Sequence, residues 1–345
     1  MHFVAHKICD GKKLEKLQQE INDTYTLIYH DLRQFEDDHL EGFLKHFVAY
    51  YYGEKGDFKK RLLEMEFNAH KRYTDNTNFN EEYEKIDDLL FYLSYSSKVW
   101  NFLHTLDEKS ITLIVDDNKK LEIEITPKMR GLLDKMRHLN ALNDNAFLPL
   151  LLSLLTIQRA GKSANEQPYT TKELEAYLEH LESFGFLIYG YGVAGKNTSK
   201  WGKTLNYLLY EYELHHNPET TLNFDGSIES IEHILPQNPD QGYSAKEKNW
   251  AKNPNIVHAL GNLLLMAKNA NSSLSNKPFD EKRKQYLKGS YSEKEVAKNA
   301  SFGVEQIKER SEKLLDFLIA HYRIAELVGE STIKAFKNAS LKDIK

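Results

Sequence analysis

The stretch SIESIEHILPQNP, residues 227–239, decides the fold of the last third of this chain. Its apolar residues alternate with polar ones, which predicts a short, half-buried strand. Pro236 and Pro239 stop this strand, because proline lacks the N–H that a strand ladder needs. The strand therefore ends at an adjacent carboxylate and imidazole, Glu232 and His233. On an extended backbone their side chains leave opposite faces, so a kink before Pro236 is needed if both are to serve one substrate.

A second patterned stretch, VHALGNLLLMAKNANSSLSNKPFDEKRKQYLKGS, covers residues 257–290. GNLLLM predicts another short strand, opened by Gly261 and Asn262, and the polar run AKNANSSLSN is not strand-like. Pro278 then stands just inside the start of a helix. Strand, loop, strand, polar turn and helix form the β-β-α plan of nucleases that hydrolyse a phosphodiester with one divalent metal.

The residue types in these two stretches suit that chemistry. Hydrolysis needs a base that accepts a proton from water near neutral pH, and histidine is the side chain for this task. It also needs a hard cation beside the phosphate, held by oxygen ligands that leave positions open for water and substrate. A carboxylate and an amide oxygen suit Mg²⁺ or Mn²⁺.

The motifs IEHILPQ, LGNLLLM, NSSLSNKPFDEKR and I.ER...L occur in the order found in one nuclease family. Over residues 200–325 the chain resembles the His-Asn-His (HNH) superfamily, and most closely the C-terminal domain of the GmrSD-type, modification-dependent restriction endonucleases. The resemblance implies a metal-dependent DNA endonuclease in restriction or anti-phage defence. It implies that His233 is the general base, that Glu232 and Asn271 bind the metal, and that Asn262 pins the loop between the strands.

The resemblance also implies contacts outside the reacting centre. Residues in the polar turn and the basic helix are expected to orient the turn and contact DNA phosphates: Asn276, Lys277, Lys282, Arg283 and Lys284. Members of the family carry an N-terminal ParB-like NTPase domain with a DGQQR-like motif, which this sequence lacks. We therefore expect the substrate to be DNA, modified or not, and a separate NTPase or specificity subunit to be a partner.

The first two-thirds of the chain has a different pattern of apolar residues. Apolar residues recur three and four apart, which predicts helices over residues 1–220, and NAFLPLLLSLLTIQRAG predicts a buried helix closed by Gly161. SITLIVDDNKKLEIEI changes to a strand-like pattern and predicts a hairpin near residues 110–126. The predicted fold is mainly α (α+β): a helical module over 1–220, a small β-β-α nuclease domain with a C-terminal helix over 221–325, and a tail over 326–345.

Composition excludes several protein classes. The mean hydropathy of −0.60 and the absence of an apolar run of about 20 residues exclude a membrane span. The single cysteine, Cys9, excludes an internal disulfide, and we expect a reducing cytoplasm. The net charge is −5, but residues from 223 onward carry 19 Lys and Arg against 16 Asp and Glu, so the basic excess lies with the predicted nuclease.

Three features of the sequence also admit other interpretations. GYGVAGKNT, residues 190–198, approaches a phosphate-loop pattern but has Asn197 where a hydroxyl would bind the metal, so a glycine-rich surface loop is the better interpretation. The nuclease segment could instead be a catalytically silent DNA-binding or assembly subunit. It could also be an RNase or a nicking toxin. His258 could contact DNA, but a helix-capping or core histidine is the better interpretation.

Overall fold

The structure is a computed structural model that describes residues 2–33, 38–53, 56–62, 79–116, 119–141, 146–156, 158–160, 164–166, 169–186, 198–223, 228–239 and 241–345. The chain divides into two compact units, Met1–Gly185 and Phe186–Lys345, here called unit 1 and unit 2. Both are mainly helical, in agreement with the predicted mainly α fold. Residues 190–197 of the glycine-rich stretch lie outside the described part of the chain.

Unit 1 is built around a long helix, α4, whose buried face is lined by leucine, isoleucine and aromatic side chains. Helices α2 and α3 pack against it, and Trp100 of α4 lies edge-on to Phe43 of α3. The helices of unit 1 are α1 (His2–Ile8), α2 (Gly11–Leu32), α3 (Asp38–Tyr52), α4 (Phe79–Thr105), α5 (Pro127–Ala141), α6 (Leu148–Leu155) and α7 (Thr171–Gly185).

Two short antiparallel hairpins complete the described part of unit 1. β1 (Ser110–Asp116) pairs with β2 (Lys119–Glu124), as predicted for this stretch, although the turn at residues 117–118 lies outside the description. β3 (Gln158–Ala160) pairs with β4 (Ala164–Glu166). The predicted extension of helix α6 to Gly161 is wrong, because Thr156 is already extended and β3 begins two residues later.

Unit 2 is centred on a two-stranded antiparallel sheet. β5 (Glu229–His233) pairs with β6 (Leu263–Ala267), and His233 lies opposite Leu263. A 3₁₀ segment, the Gly-Asn turn (Leu260–Asn262), leads into β6. The helices of unit 2 are α8 (Thr198–His216), α9 (Ala245–Ala251), α10 (Pro254–Val257), α11 (Lys268–Leu274), α12 (Phe279–Tyr286), α13 (Tyr291–Ala297), α14 (Val304–His321), α15 (Ile324–Leu327) and α16 (Glu330–Leu341).

The boundary between the units differs from the one predicted at residue 220. Helix α8 contacts β6 and α13 and therefore belongs to unit 2. Buried Glu213 of α8 accepts hydrogen bonds from the backbone N–H groups of Tyr291 and Ser292, both at 2.8 Å, at the first turn of α13. A buried carboxylate satisfies helix N–H groups that have no partner within their own helix. The change to short strands after residue 220 is thus a change within one unit.

Two further segments of unit 2 form helices. The polar run after β6 forms helix α11, which carries Asn271 and packs against both strands. The tail predicted over 326–345 contains helix α16, and the side chains of Leu341 and Ile344 join the buried core of unit 2. Among the described residues, no helix is long and apolar enough to cross a membrane.

Candidate functional site

The end of β5 separates the two chemically active side chains of the motif. Glu232 is 4% exposed and faces the interior, whereas His233 is half-buried. The Glu232 Oε1 atom accepts hydrogen bonds from Lys282 Nζ at 2.6 Å and from Tyr286 Oη at 3.0 Å. The motif therefore contributes one side chain to an interior polar cluster and one to the surface beside it.

The position of Lys282 differs from the predicted phosphate contact. This lysine is fully buried, and its Nζ also donates to the backbone oxygens of His233 at 2.8 Å and Ile234 at 3.3 Å. Helix α12 turns Lys282 inward because it lies four residues before Tyr286, which faces the same cluster. All three of its donors are used inside the protein, so Lys282 fixes the end of β5 and is not placed to bind DNA.

Burial shifts the pKa values of both Glu232 and Lys282. It raises the pKa of Glu232 above its ordinary value, and it lowers the pKa of Lys282. The mutual attraction and the hydrogen bonds oppose both shifts. The pair is thus held by short, directed contacts that offset the cost of removing two charges from water.

Asn262 joins the two chain segments that flank the site. The side chain is fully buried, and its Oδ1 accepts from Leu235 N at 2.7 Å. Its Nδ2 donates to Leu235 O at 2.9 Å and to Val257 O at 2.8 Å. Asn262 lies behind the strand end and touches no open surface, so its effect on the site is to hold backbone in place.

Helix α14 holds the Gly-Asn turn from the other side. Arg310 Nη1 donates to the backbone oxygens of Gly261 at 2.9 Å and Leu263 at 2.7 Å, and Ser311 Oγ accepts from Gly261 N at 2.8 Å. A Cβ atom at Gly261 would collide with the backbone oxygen of Ile307 and lie 2.6 Å from Ser311 N. Glycine is required here because backbone meets backbone without room for a side chain.

His233 opens onto a cavity of about 260 Å³ at the end of β5, here called the His233 cavity. It is open to solvent, and Asn271 of helix α11 also lines it. The lining residues are Ile231, Glu232, His233, Pro236, Gln237, Asn238, Asn271, Ser275 and Asn276. The structure therefore brings His233, Glu232, Asn271 and Asn276 to one place, although Glu232 reaches it from the interior side.

Asn271 is oriented by a contact that the sequence did not suggest. Its Nδ2 donates to Ser230 Oγ at 2.9 Å, across from helix α11 to strand β5. With the amide nitrogen used in this way, the amide oxygen, Oδ1, is the atom of the Asn271 side chain whose lone pairs suit a cation. Ser230 is thus a supporting residue that an alternating strand pattern alone cannot distinguish from any other half-buried serine.

His233 is an unusual histidine by its surroundings. Burial lowers its pKa to about 4, and the neighbouring His258 and Lys282 charges act in the same direction. The imidazole is therefore neutral at neutral pH and has a lone pair with which to accept a proton. Its Nε2 lies 3.3 Å from Nδ1 of His258 and 3.3 Å from the amide nitrogen of Gln237.

The remaining predicted DNA contacts are dispersed. Asn276 and Lys277 line a second cavity next to the first, here called the Lys277 cavity, which also contains Lys248 of α9. Arg283 is half-buried, and its Nε donates to Ala297 O at 2.8 Å, while Lys284 is exposed on α12 outside both cavities. Lys248 is a candidate contact that the sequence analysis missed, because it lies on a helix that no motif includes.

The donors around the His233 cavity fit a hard divalent cation better than a soft one. Its lining includes one carboxylate residue, Glu232, and one amide residue of helix α11, Asn271, and Lys282 and Tyr286 both bond to Oε1 of that carboxylate. Oxygen ligands of this kind suit Mg²⁺ or Mn²⁺. Within the described residues, no group of three or more His, Cys, Asp or Glu side chains is arranged to bind a metal ion.

Comparison with known proteins identifies the segment that builds this site. Residues 193–317 match the model of the C-terminal domain of the GmrSD restriction endonucleases, which agrees with the resemblance seen over residues 200–325. The matched range contains α8, both strands of the sheet, the Gly-Asn turn and helices α11 to α13, with most of α14. A search of curated proteins found no match to the chain.

Proposed function

We propose that unit 2 is a metal-dependent DNA endonuclease that acts in restriction or anti-phage defence, because residues 193–317 match the model of the C-terminal domain of the GmrSD restriction endonucleases. The observation that carries the proposal is that His233 and Asn271 line one open cavity at the end of β5. In this proposal the β5–β6 hairpin and helix α11 are the β-β-α element of an HNH nuclease.

His233 is the general base of the proposed reaction. A neutral imidazole takes a proton from a water molecule as the water oxygen forms a bond to phosphorus. The P–O bond to the leaving sugar oxygen then breaks, and that oxygen takes a proton from solvent. A pKa held low by burial keeps the base form of His233 fully populated at neutral pH.

Glu232 and Asn271 would hold Mg²⁺ or Mn²⁺, through Oε2 and Oδ1. A bound cation of this kind neutralises charge that develops on the phosphate oxygens. Lys282 and Tyr286 hold the Glu232 carboxylate in place, and Ser230 holds the Asn271 amide. Asn276, Lys277 and Lys248 would contact the flanking phosphates, since they line the neighbouring cavity.

The proposal includes a partner. The resemblance implies that recognition of modified bases and control by nucleotide reside in an NTPase or specificity subunit. The residues before 223 carry a net charge of −8, which disfavours direct DNA contact and leaves this part of the chain for binding protein.

Cleavage of plasmid DNA by the purified full chain tests the proposal. We expect nicked or linear DNA in the presence of Mg²⁺ or Mn²⁺ and intact plasmid in EDTA. Parallel reactions with modified DNA and with single-stranded RNA separate a DNA endonuclease from an RNase. DNA binding without cleavage in every metal would instead identify a silent binding subunit and would contradict the proposal.

A further inference from the structure

The ring of His258 lies against the ring of His233. The Nδ1 atom of His258 lies 3.3 Å from Nε2 of His233, and the two rings meet edge to face with centroids 5.4 Å apart. The two ring nitrogens share a hydrogen bond, and the tautomers of the two rings set which nitrogen donates it. His258 closes helix α10, where its backbone N–H donates to Pro254 O at 3.1 Å.

Asn262 joins the two chain segments that carry these histidines. Its buried amide accepts from the N–H of Leu235, two residues after His233, and donates to the carbonyl oxygens of Leu235 and of Val257, the residue before His258. A single buried side chain therefore ties the two histidine-bearing segments together. The tie fixes the backbone from which the two imidazoles extend.

Gln237, the other side chain beside the His233 ring, does not select a ring nitrogen. Its amide nitrogen lies 3.3 Å from Nε2 and 3.5 Å from Nδ1. His258 contacts Nε2 alone. Of these two neighbours only His258 can accept a hydrogen bond from an Nε2–H of His233, because the Gln237 amide nitrogen is a donor.

We propose that His258 is a positioning residue for His233: its Nδ1 accepts the Nε2–H of His233, which fixes the tautomer in which Nδ1 of His233 is the proton acceptor. The inference rests on the proposed role of His233 as the general base. The bond partner of one ring nitrogen sets the protonation of the other, so His258 acts on the reaction through His233 without touching the substrate.

Nitrogen-15 spectra of the histidine rings test the tautomer directly, in the full chain and without any substrate. We expect His233 to be in the Nε2–H form in the parent protein, to be mixed between both forms in His258→Ala, and to return to the Nε2–H form in His258→Asn, whose side-chain oxygen can accept the same proton. Gln237→Ala should leave the tautomer unchanged. A parent protein in the Nδ1–H form, or an unchanged tautomer in His258→Ala, would overturn the proposal.

Kinetics on plasmid DNA separate this inference from the proposed function. We expect His258→Ala to lower kcat by about 10–100-fold with little change in KM, and His258→Asn to recover most of the loss. Parental kcat in His258→Ala overturns the positioning role while the nuclease assignment stands. A parent that cleaves nothing but shows the His258-dependent tautomer contradicts the nuclease assignment and supports the contact between the two rings.

Discussion

Lys282 Nζ lies 2.6 Å from Glu232 Oε1 in the interior of unit 2, and this ion pair joins helix α12 to the strand that carries His233. Both side chains are almost fully buried. The lysine also bonds to the backbone oxygens of His233 and Ile234, directly after the carboxylate. The pair therefore fixes the strand end whose geometry the proposed reaction needs.

Removing one member of this pair should destabilise unit 2 strongly. Lys282→Met leaves the Glu232 carboxylate buried without its counter-charge, so we expect the free energy of unfolding to fall by about 3–5 kcal/mol. Glu232→Leu combined with Lys282→Met should recover most of that loss, because no unpaired charge remains. Hydrogen exchange at the amides of α12 and α14 measures the stability of unit 2 separately from that of unit 1.

Lys284→Met is the matched control, since Lys284 is exposed on the same helix. Its stability should equal that of the parent. If Lys282→Met unfolded no more easily than Lys284→Met but bound DNA less well, Lys282 would have the phosphate-binding role predicted from the sequence and not the structural one.

Gly261→Ala should also destabilise unit 2. The added methyl group would meet the backbone of helix α14 at Ile307 and Ser311, so the helix must move away from the Gly-Asn turn. We expect a loss of about 1–3 kcal/mol, as for other insertions into packed interiors. Gly329→Ala is the control, because no atom among the described residues lies within 4 Å of the added Cβ. Equal stability of the two variants, measured by the same exchange experiment, would show that α14 packs less tightly here.

His233→Ala should remove cleavage without unfolding the protein. The side chain lies at an open cavity and is half-buried, so its loss leaves no cavity in the core. The usual size of a general-base contribution gives an expected loss of about 10²–10⁴-fold in kcat. His215→Ala, which changes an exposed histidine of the same unit outside the cavity, should retain parental activity. Cleavage by His233→Ala at the parental rate would contradict the assignment of the base.

Asn271→Ala should selectively weaken metal binding. The variant loses the proposed amide ligand, so the Mg²⁺ concentration that gives half-maximal cleavage should rise by about 10–100-fold, the range found when a metal site loses a supporting group. Asn271→Asp should stay close to the parent because it keeps an oxygen at the same position. Asn269→Ala on the exposed side of α11 is the control. A metal titration that is identical for Asn271→Ala and Asn269→Ala would exclude Asn271 as a ligand.

The sequence predicts elements formed by neighbouring residues better than it predicts contacts between segments far apart along the chain. Strand β5, the strand after Gly261 and the helix after Pro278 follow from patterns of a few residues each, with turn residues between them. His233 and Asn271 line one cavity because the β5–β6 hairpin returns the chain to helix α11; the hairpin follows from the sequence pattern, whereas the helix does not. The hairpin of unit 1 was predicted in the same way, from a change of period and a turn signal.

Contacts between distant segments leave no such pattern. Lys282 lies 50 residues after Glu232 and stands in a run of basic residues, so composition alone suggests a DNA-binding surface. Its direction depends on which face of α12 packs on the sheet, and Tyr286 decides that face by tertiary packing. Helix α8 was assigned to the wrong side of the boundary for a similar reason, because Glu213 contacts α13 across 79 residues.

Lys248 and Lys277 should supply the electrostatic part of DNA binding in place of Lys282. Both are exposed and line the Lys277 cavity beside His233, so a strand whose scissile phosphate lies at His233 would pass them. Each lysine that neutralises a phosphate contributes about 0.9 to the slope of log K against log salt concentration. We expect Lys248→Ala and Lys277→Ala to weaken binding of a DNA duplex and to reduce that slope by about 0.9 each. Fluorescence anisotropy at salt concentrations from about 50 to about 200 mM measures both effects.

Lys334→Ala is the matched control for these two variants, because Lys334 is an exposed lysine of unit 2 that lines neither cavity. Its slope should equal that of the parent, so the comparison removes the effect of net charge alone. Since these contacts reach only the sugar-phosphate backbone, affinity should fall equally for all duplex sequences in both lysine variants. A loss confined to one sequence would mean that this surface reads bases, and an unchanged slope in both variants would place the DNA on another face of unit 2.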